Sequence, residues 1–174
     1  PGASYSTHTG FLRAELRIDE RASDAIYLSF ARGSSVEFSS RNQLRLIAGR
    51  LFVHHPAGAG GVVEYSIRAE DVEYRIAPGT QALLSITYVE PDAEPSRMSE
   101  TAVDERNPIL RPKKTCVVDC TVYNGFALAV PGNGEARRIL PRETVRRRTE
   151  RFELIETDRF RQLDWYDESL LTEQ

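Results

Sequence analysis

The chain has 174 residues, 40% hydrophobic and 28% charged, the balance of a globular domain with its own core rather than of a disordered tail. That length allows one ordinary domain, or one domain with an extension. Lys+Arg number 23 and Asp+Glu 26, so the net charge of −3 supplies no global field for nucleic acid or an anionic membrane, and no run of about 18 apolar residues is present to span a bilayer.

The chain opens Pro1-Gly2-Ala3-Ser4, and its single Met is Met98. Either a presequence has been removed or the residues are an excerpt. Residues 11–18 alternate, with Leu12, Ala14, Leu16 and Ile18 on one side and Arg13, Glu15 and Arg17 on the other, which predicts a strand with one wet face. After a polar turn over 19–24, Ile26, Leu28 and Phe30 form a second alternating set. Arg32-Gly33-Ser34-Ser35 interrupts it, and Val36-Glu37-Phe38 is a short strand. Residues 44–53 hold two β-rich pieces around Ala48-Gly49, where the glycine predicts a corner. His54-His55-Pro56 and the glycine-rich run after it read as a flexible loop.

The middle of the chain is the most regular. Val63, Tyr65, Ile67 and Ala69 alternate with polar residues, Glu70-Asp71 turns, Val72, Tyr74 and Ile76 alternate again, Pro78-Gly79-Thr80 turns, and Ala82, Leu84, Ile86 and Tyr88 form another face. Strands this short, with turns this close, predict an all-β fold: a short-strand solenoid-like or sandwich domain with Leu46, Leu51, Tyr65, Ile67, Tyr74, Ile76, Leu84 and Ile86 buried. Residues 90–114 break the rhythm with Pro, Glu, Asp, Arg and Ser, and a loop of that length in a compact domain is usually functional or disordered. Strand character resumes at 115–123 and 126–130, separated by Asn124-Gly125, a hairpin or tight-turn signal. Pro131-Gly132-Asn133-Gly134 turns, residues 136–140 and 144–148 continue, and residues 152–155 form a last strand. From Thr157, Phe160, Leu163, Tyr166 and Leu170 recur at steps of three and four, predicting a C-terminal amphipathic helix capped by Thr157. The expected organisation is therefore a β domain over 1–156, with an insertion at about 90–114, and a helical tail over 157–174.

Several of these runs resemble the FecR domain, a β module of bacterial envelope sensory proteins. Thr7-His8-Thr9-Gly10 resembles its entry, and residues 26–38, with Gly33-Ser34-Ser35-Val36, its Ser-centred part. Residues 44–53 resemble its leucine-rich strand ending in Gly, Pro78-Gly79-Thr80-Gln81-Ala82-Leu83-Leu84 its Gly-Thr turn and following strand, and Val122-Tyr123-Asn124-Gly125-Phe126-Ala127-Leu128 its final hairpin. The matching span is about 9–130. Here the 90–114 insertion intervenes, and no anti-sigma segment is recognisable, so control of a sigma factor is not carried over. The resemblance implies a non-catalytic envelope protein–protein interaction module, an accessory or structural subunit of a larger envelope assembly. It further implies an exported chain in the periplasm or outside the cell, with other envelope proteins or further copies of itself as partners. A carbohydrate-binding β domain is the second reading, with Tyr65, Tyr74, Tyr88 and Trp165 as sugar platforms.

Constellations that carry chemistry are sparse. His54-His55 is the only His pair, and neighbours on a strand point to opposite faces, so solvated loop-edge histidines are expected rather than a metal site. Cys116 and Cys120 lie about 13 Å apart on a straight strand, too far to bridge, whereas a turn would let them; a disulfide and two buried thiols both stay open. Ser34, Ser35, Ser39 and Ser40 lack a nucleophile elbow and read as turn serines. No catalytic, cofactor-binding or metal residue is expected. The partner-contact candidates are Ile109 and Leu110 in the insertion, Trp165 and Tyr166 in the tail, and Arg146 and Arg148. The two arginines share one strand face and could dock an acidic group or pair with Glu143, Glu150, Glu153 and Glu156.

Overall fold

A computed structural model describes residues 3–16, 25–58, 64–89 and 114–155. In chain order the strands are β1 (Ala3–Ser6), β2 (Leu12–Leu16), β3 (Ile26–Phe30), β4 (Ser35–Ser40), β5 (Gln43–His55), β6 (Tyr65–Ala69), β7 (Val72–Ile76), β8 (Thr80–Val89), β9 (Thr115–Asn124), β10 (Ala127–Pro131), β11 (Arg137–Ile139), β12 (Thr144–Arg148) and β13 (Arg151–Ile155). All described regular structure is β. The 13 strands form one continuous sheet that doubles back on itself at β5. The first part of β5 pairs with β4 and β6, and its second part with β3 and β8. One half of the sheet therefore runs β1-β4-β5-β6-β7-β10-β11, and the other β2-β3-β5-β8-β9-β12-β13. Every pairing is antiparallel except β5 with β6.

Alternation in the sequence explains the core. Leu44, Leu46, Ile67, Tyr74 and Ile76 of the first half face Leu28, Leu51, Leu84, Cys120 and Val145 of the second, in one buried cluster. All eight residues expected in the core are buried. Burying large side chains of this kind stabilises by roughly 1.5–3 kcal/mol each relative to exposure, and the two inner faces supply one another's cover.

The chain passes between the halves at corners built on glycine. At the first, Gly49 bends β5 with a φ of 86°, and a Cβ there would lie 2.5 Å from the Ser34 Cα. The Ser34 hydroxyl accepts from the Arg50 N–H at 3.0 Å and donates to the Arg50 carbonyl at 2.9 Å. The second corner repeats the device. Gly125 has a φ of 73°, and a Cβ on it would meet Thr80 and come within 2.7 Å of the Gly79 carbonyl. The Thr80 hydroxyl accepts from the Phe126 N–H at 3.2 Å and donates to the Phe126 carbonyl at 3.0 Å. Only glycine combines that φ with so close an approach.

One sequence expectation, for the histidines, is corrected, and two alternatives left open are resolved. Asn124-Gly125 is a tight turn but not a hairpin: β9 pairs with β8 and β12, whereas β10 pairs with β7 and β11, because the turn carries the chain across to the other half. His54 and His55 end β5 rather than sit in a loop. His55 is buried, with Nδ1 3.2 Å from the Ile76 carbonyl, and burial lowers its pKa. Cys116 and Cys120 are free thiols on one uninterrupted strand, so the bridge is not formed; both point inward, Cys120 into the core. The expected helix over 157–171 and the insertion over 90–113 lie outside the described residues.

Candidate functional site

At one margin of the fold the two halves end in different strands that do not meet. Among the described residues β1 pairs with β4 alone and β2 with β3 alone. Among the described residues β1 therefore presents a second edge whose backbone donors and acceptors have no strand partner, the arrangement that invites an added strand. Between them opens a groove of about 530 Å3, lined by Ala3, Tyr5, Leu12, Ala14, Leu16 and Phe38. Leu12, Ala14 and Leu16 are the apolar side of the alternating segment and pack on the core while staying partly exposed. Phe38 forms the floor. Its ring meets Phe30 at 6.5 Å and Tyr5 at 5.7 Å, both edge-on, the geometry aromatic pairs prefer. Tyr5 itself is 50% exposed. Ser39, Ser40 and Arg41 supply the polar rim.

A second concavity, of about 450 Å3, lies where the β6–β7 turn approaches β9 and β12, with Glu70, Asp71, Tyr88, Cys116 and Arg147 in its wall. Arg147 is an inward-facing member of β12 and is buried. Its Nη2 donates to Asp71 Oδ2 at 2.8 Å and its guanidinium lies 4.9 Å from the Phe152 ring centre, so it clamps one half of the sheet to the other. Tyr88 donates to Glu70 Oε1 at 2.8 Å. Burial first, and the Glu70 carboxylate second, push the Cys116 thiol and the Tyr88 phenol up to about 12 each. Both hold their protons at neutral pH, so neither is poised as a nucleophile or a base. Among the described residues no group of three or more His, Cys, Asp or Glu is placed to hold a metal ion.

Of the contact candidates read from the sequence, Arg146 makes a two-pronged pair with Asp119, Nε and Nη2 each donating at 2.8 Å. That hydrogen bonding raises its pKa. Asp119 is the cross-strand neighbour on β9, 27 positions away and so not legible from the sequence, while Glu153, one of the glutamates expected, faces Arg146 from β13 and adds to that rise. Arg148 is exposed at the β12–β13 turn. Ile109, Leu110, Trp165 and Tyr166 lie outside the described residues. Tyr65 and Tyr74 are wholly buried, which removes them as sugar platforms, and Tyr88 stays 44% exposed. Sequence reading missed the groove. Its lining alternates in the sequence like any core strand, and only the topology leaves β1 and β2 as margins.

No family model matches the chain, and no curated protein does. Two crystal structures of a "putative anti-sigma factor" from Parabacteroides distasonis are similar. One has a TM-score of 0.56 at 13% identity over 90% of this chain, the other a TM-score of 0.55 at 11% identity over 91%. The chain spans 60% and 61% of their respective lengths. At such identities the likeness is one of fold. Among the described residues no helix is long and apolar enough to cross a membrane. The doubled-over sheet is therefore a fold that this chain shares with part of those structures.

Proposed function

We propose that the chain is a non-catalytic protein-binding β module of a bacterial envelope regulatory assembly, related to FecR-type sensory domains and exported to the periplasm or beyond. The observation that carries the binding role is the apolar groove between β1 and β2, with the second edge of β1 along one side. An extended segment of another envelope protein fits it, adding backbone hydrogen bonds to an edge while alternate apolar side chains enter against Phe38, Leu12 and Leu16. The fold likeness to a protein named as an anti-sigma factor supports the regulatory setting, as does the FecR-like series Gly33-Ser34, Gly49, Gly79-Thr80 and Gly125, which builds both corners.

The test is a photo-activatable phenylalanine analogue at position 5 in the native cell, followed by fractionation. An adduct between this chain and an envelope protein, abolished by Leu12→Asp, is the expected result. Adducts formed only with cytosolic proteins, or an adduct that survives Leu12→Asp, would overturn the reading. Binding of the purified chain to a glycan array through the exposed Tyr88 would establish the carbohydrate reading instead.

A further inference from the structure

On the outer face of the other half, one line of side chains crosses β4, β5, β6 and β7 in register. It reads Glu37, Arg45, Arg68 and Glu73. These positions alternate with buried Val36, Leu44, Leu46, Ile67 and Tyr74, so they point away from the core. Arg45 and Arg68 are exposed, and Glu37 and Glu73 half-buried. The signs therefore run minus, plus, plus, minus. Sheets favour opposite charges directly across from one another and disfavour like ones, yet the parallel β5–β6 pairing sets two arginines side by side. Among the described residues neither of the two makes an ion pair. Glu73 is engaged by its own neighbours. It accepts from the Ser66 hydroxyl at 2.8 Å and from Arg75 Nε at 3.2 Å. The Ser66 bond above all holds its carboxyl below the usual range, with Arg75 and the charge of Arg68 adding to the effect.

We propose that this line docks a helix of a partner protein that presents two carboxylates side by side, bracketed by cations. The spacing fits. Adjacent strands place the four positions at intervals of about 4.8 Å, roughly 14 Å in all, and residues one turn apart on a helix lie about 5–6 Å apart. Each guanidinium can then donate two parallel bonds to one carboxylate, while the two glutamates meet the bracketing cations. The sign pattern also selects. A uniformly anionic surface would gain at the arginines and lose at the glutamates. A second copy laid in register would set arginine against arginine, because the line reads the same in both directions. The surface is separate from the groove, whose residues Ala3 and Phe38 belong to the inward row. A contact built from exposed charge sets specificity and encounter rate more than affinity, so this docking is weak and sensitive to salt.

The probe is a synthetic helical peptide with Lys, Glu, Glu and Lys one turn apart, added to the full chain at low salt. Its effect is read in the backbone amide NMR signals. Saturable shifts at Arg45, Ser66 and Arg68 are expected with it, and none with the permuted peptide that carries Glu, Lys, Lys and Glu. Arg68→Gln should weaken the first peptide severalfold. Leu12→Asp, which alters only the groove, should leave its binding unchanged, so failure of the groove reading does not touch this one. Equal binding of both peptides, or of neither, would overturn the proposal. So would co-sedimentation with vesicles of phosphatidylglycerol and phosphatidylcholine that is lost in Arg45→Gln, which would make the face a lipid contact. Shifts at the same amides on concentrating the chain alone would make the occupant a second copy.

Discussion

The two glycine corners use one device for opposite ends. At Gly49 the strand survives the bend: β5 runs unbroken from Gln43 to His55 and belongs to both halves of the sheet. At Gly125 the strand ends, and β9 and β10 take separate neighbours. The clamps are alike, a buried hydroxyl holding both backbone groups of the residue after the glycine, but their surroundings differ. Ser34 is backed by Thr7, whose hydroxyl accepts the Ser34 N–H at 2.9 Å, and the Arg50 carbonyl also receives the Ala31 N–H at 3.0 Å. At the other corner, among the described residues, the Phe126 carbonyl has only a 3.4 Å approach from the Ala77 N–H besides Thr80, and Gly79 donates to the carbonyl of His55 at 2.8 Å. The first corner is redundant, and the second hangs on one threonine beside an ionisable ring.

Substitution of the glycines should have the largest effect. Gly49→Ala and Gly125→Ala each force a side chain into contact with backbone at a left-handed φ, a combination expected to cost about 3 kcal/mol or more. Urea midpoints would check it, and a Gly49→Ala chain as stable as the parent would mean that β5 bends without needing glycine. Next in size is the comparison of clamps. Thr80→Val should cost about 2 kcal/mol and Ser34→Ala nearer 1 kcal/mol, because the Arg50 carbonyl keeps Ala31 while Phe126 keeps little; equal losses would break the asymmetry. Away from the corners, Asp71→Asn should cost about 1–2 kcal/mol. It leaves the buried Arg147 charge without its counter-ion, although Asp71 is half-exposed and solvent softens the loss. Arg147→Met should lose less than Asp71→Asn.

A smaller effect separates the corners by pH. His55 is neutral and buried in the fold and its pKa is lowered, desolvation being the main cause. The unfolded chain, with a histidine value near 6.5, takes up the proton first. Stability should therefore fall as pH drops below about 6.5 and stop falling once the folded histidine also protonates. His55→Gln should flatten that part of the profile, and Gly125→Ala, which leaves His55 in place, should not. The smallest change is Tyr74→Phe. The buried Tyr74 hydroxyl has no hydrogen-bond partner among the described residues, so its removal should leave the melting temperature unchanged or raise it by a degree or two, on the order of 0.5 kcal/mol.

The corners were half legible in the sequence. Gly49 between two apolar runs signalled a bend, and the alternation of Tyr65, Ile67, Tyr74 and Ile76 marked core positions, because both depend on local spacing. The partners of those glycines were not legible. Ser34 and Thr80 read only as turn residues, since the bonds that give them their role reach 16 and 46 positions along the chain. The same distance hid the groove, the Arg146–Asp119 pair and the tilt of Asn124-Gly125 toward a crossing instead of a hairpin. His55 was misread for a local reason: the glycines that follow it suggested a loop, while its burial comes from Ile76 and the β8 pairing of His55 with Thr80.

Because β5 is common to both halves, neither can melt and leave the other intact. Detaching the β3–β8 side exposes residues 51–55, and detaching the β4–β6 side exposes residues 43–48, but both segments are one stretch of backbone whose inward side chains sit in a single cluster. The amides of β5 should therefore exchange with solvent only through global opening, with a denaturant dependence matching that of whole-chain unfolding. A load applied at the β1–β2 margin would then displace the sheet as a rigid body and not loosen one layer of it.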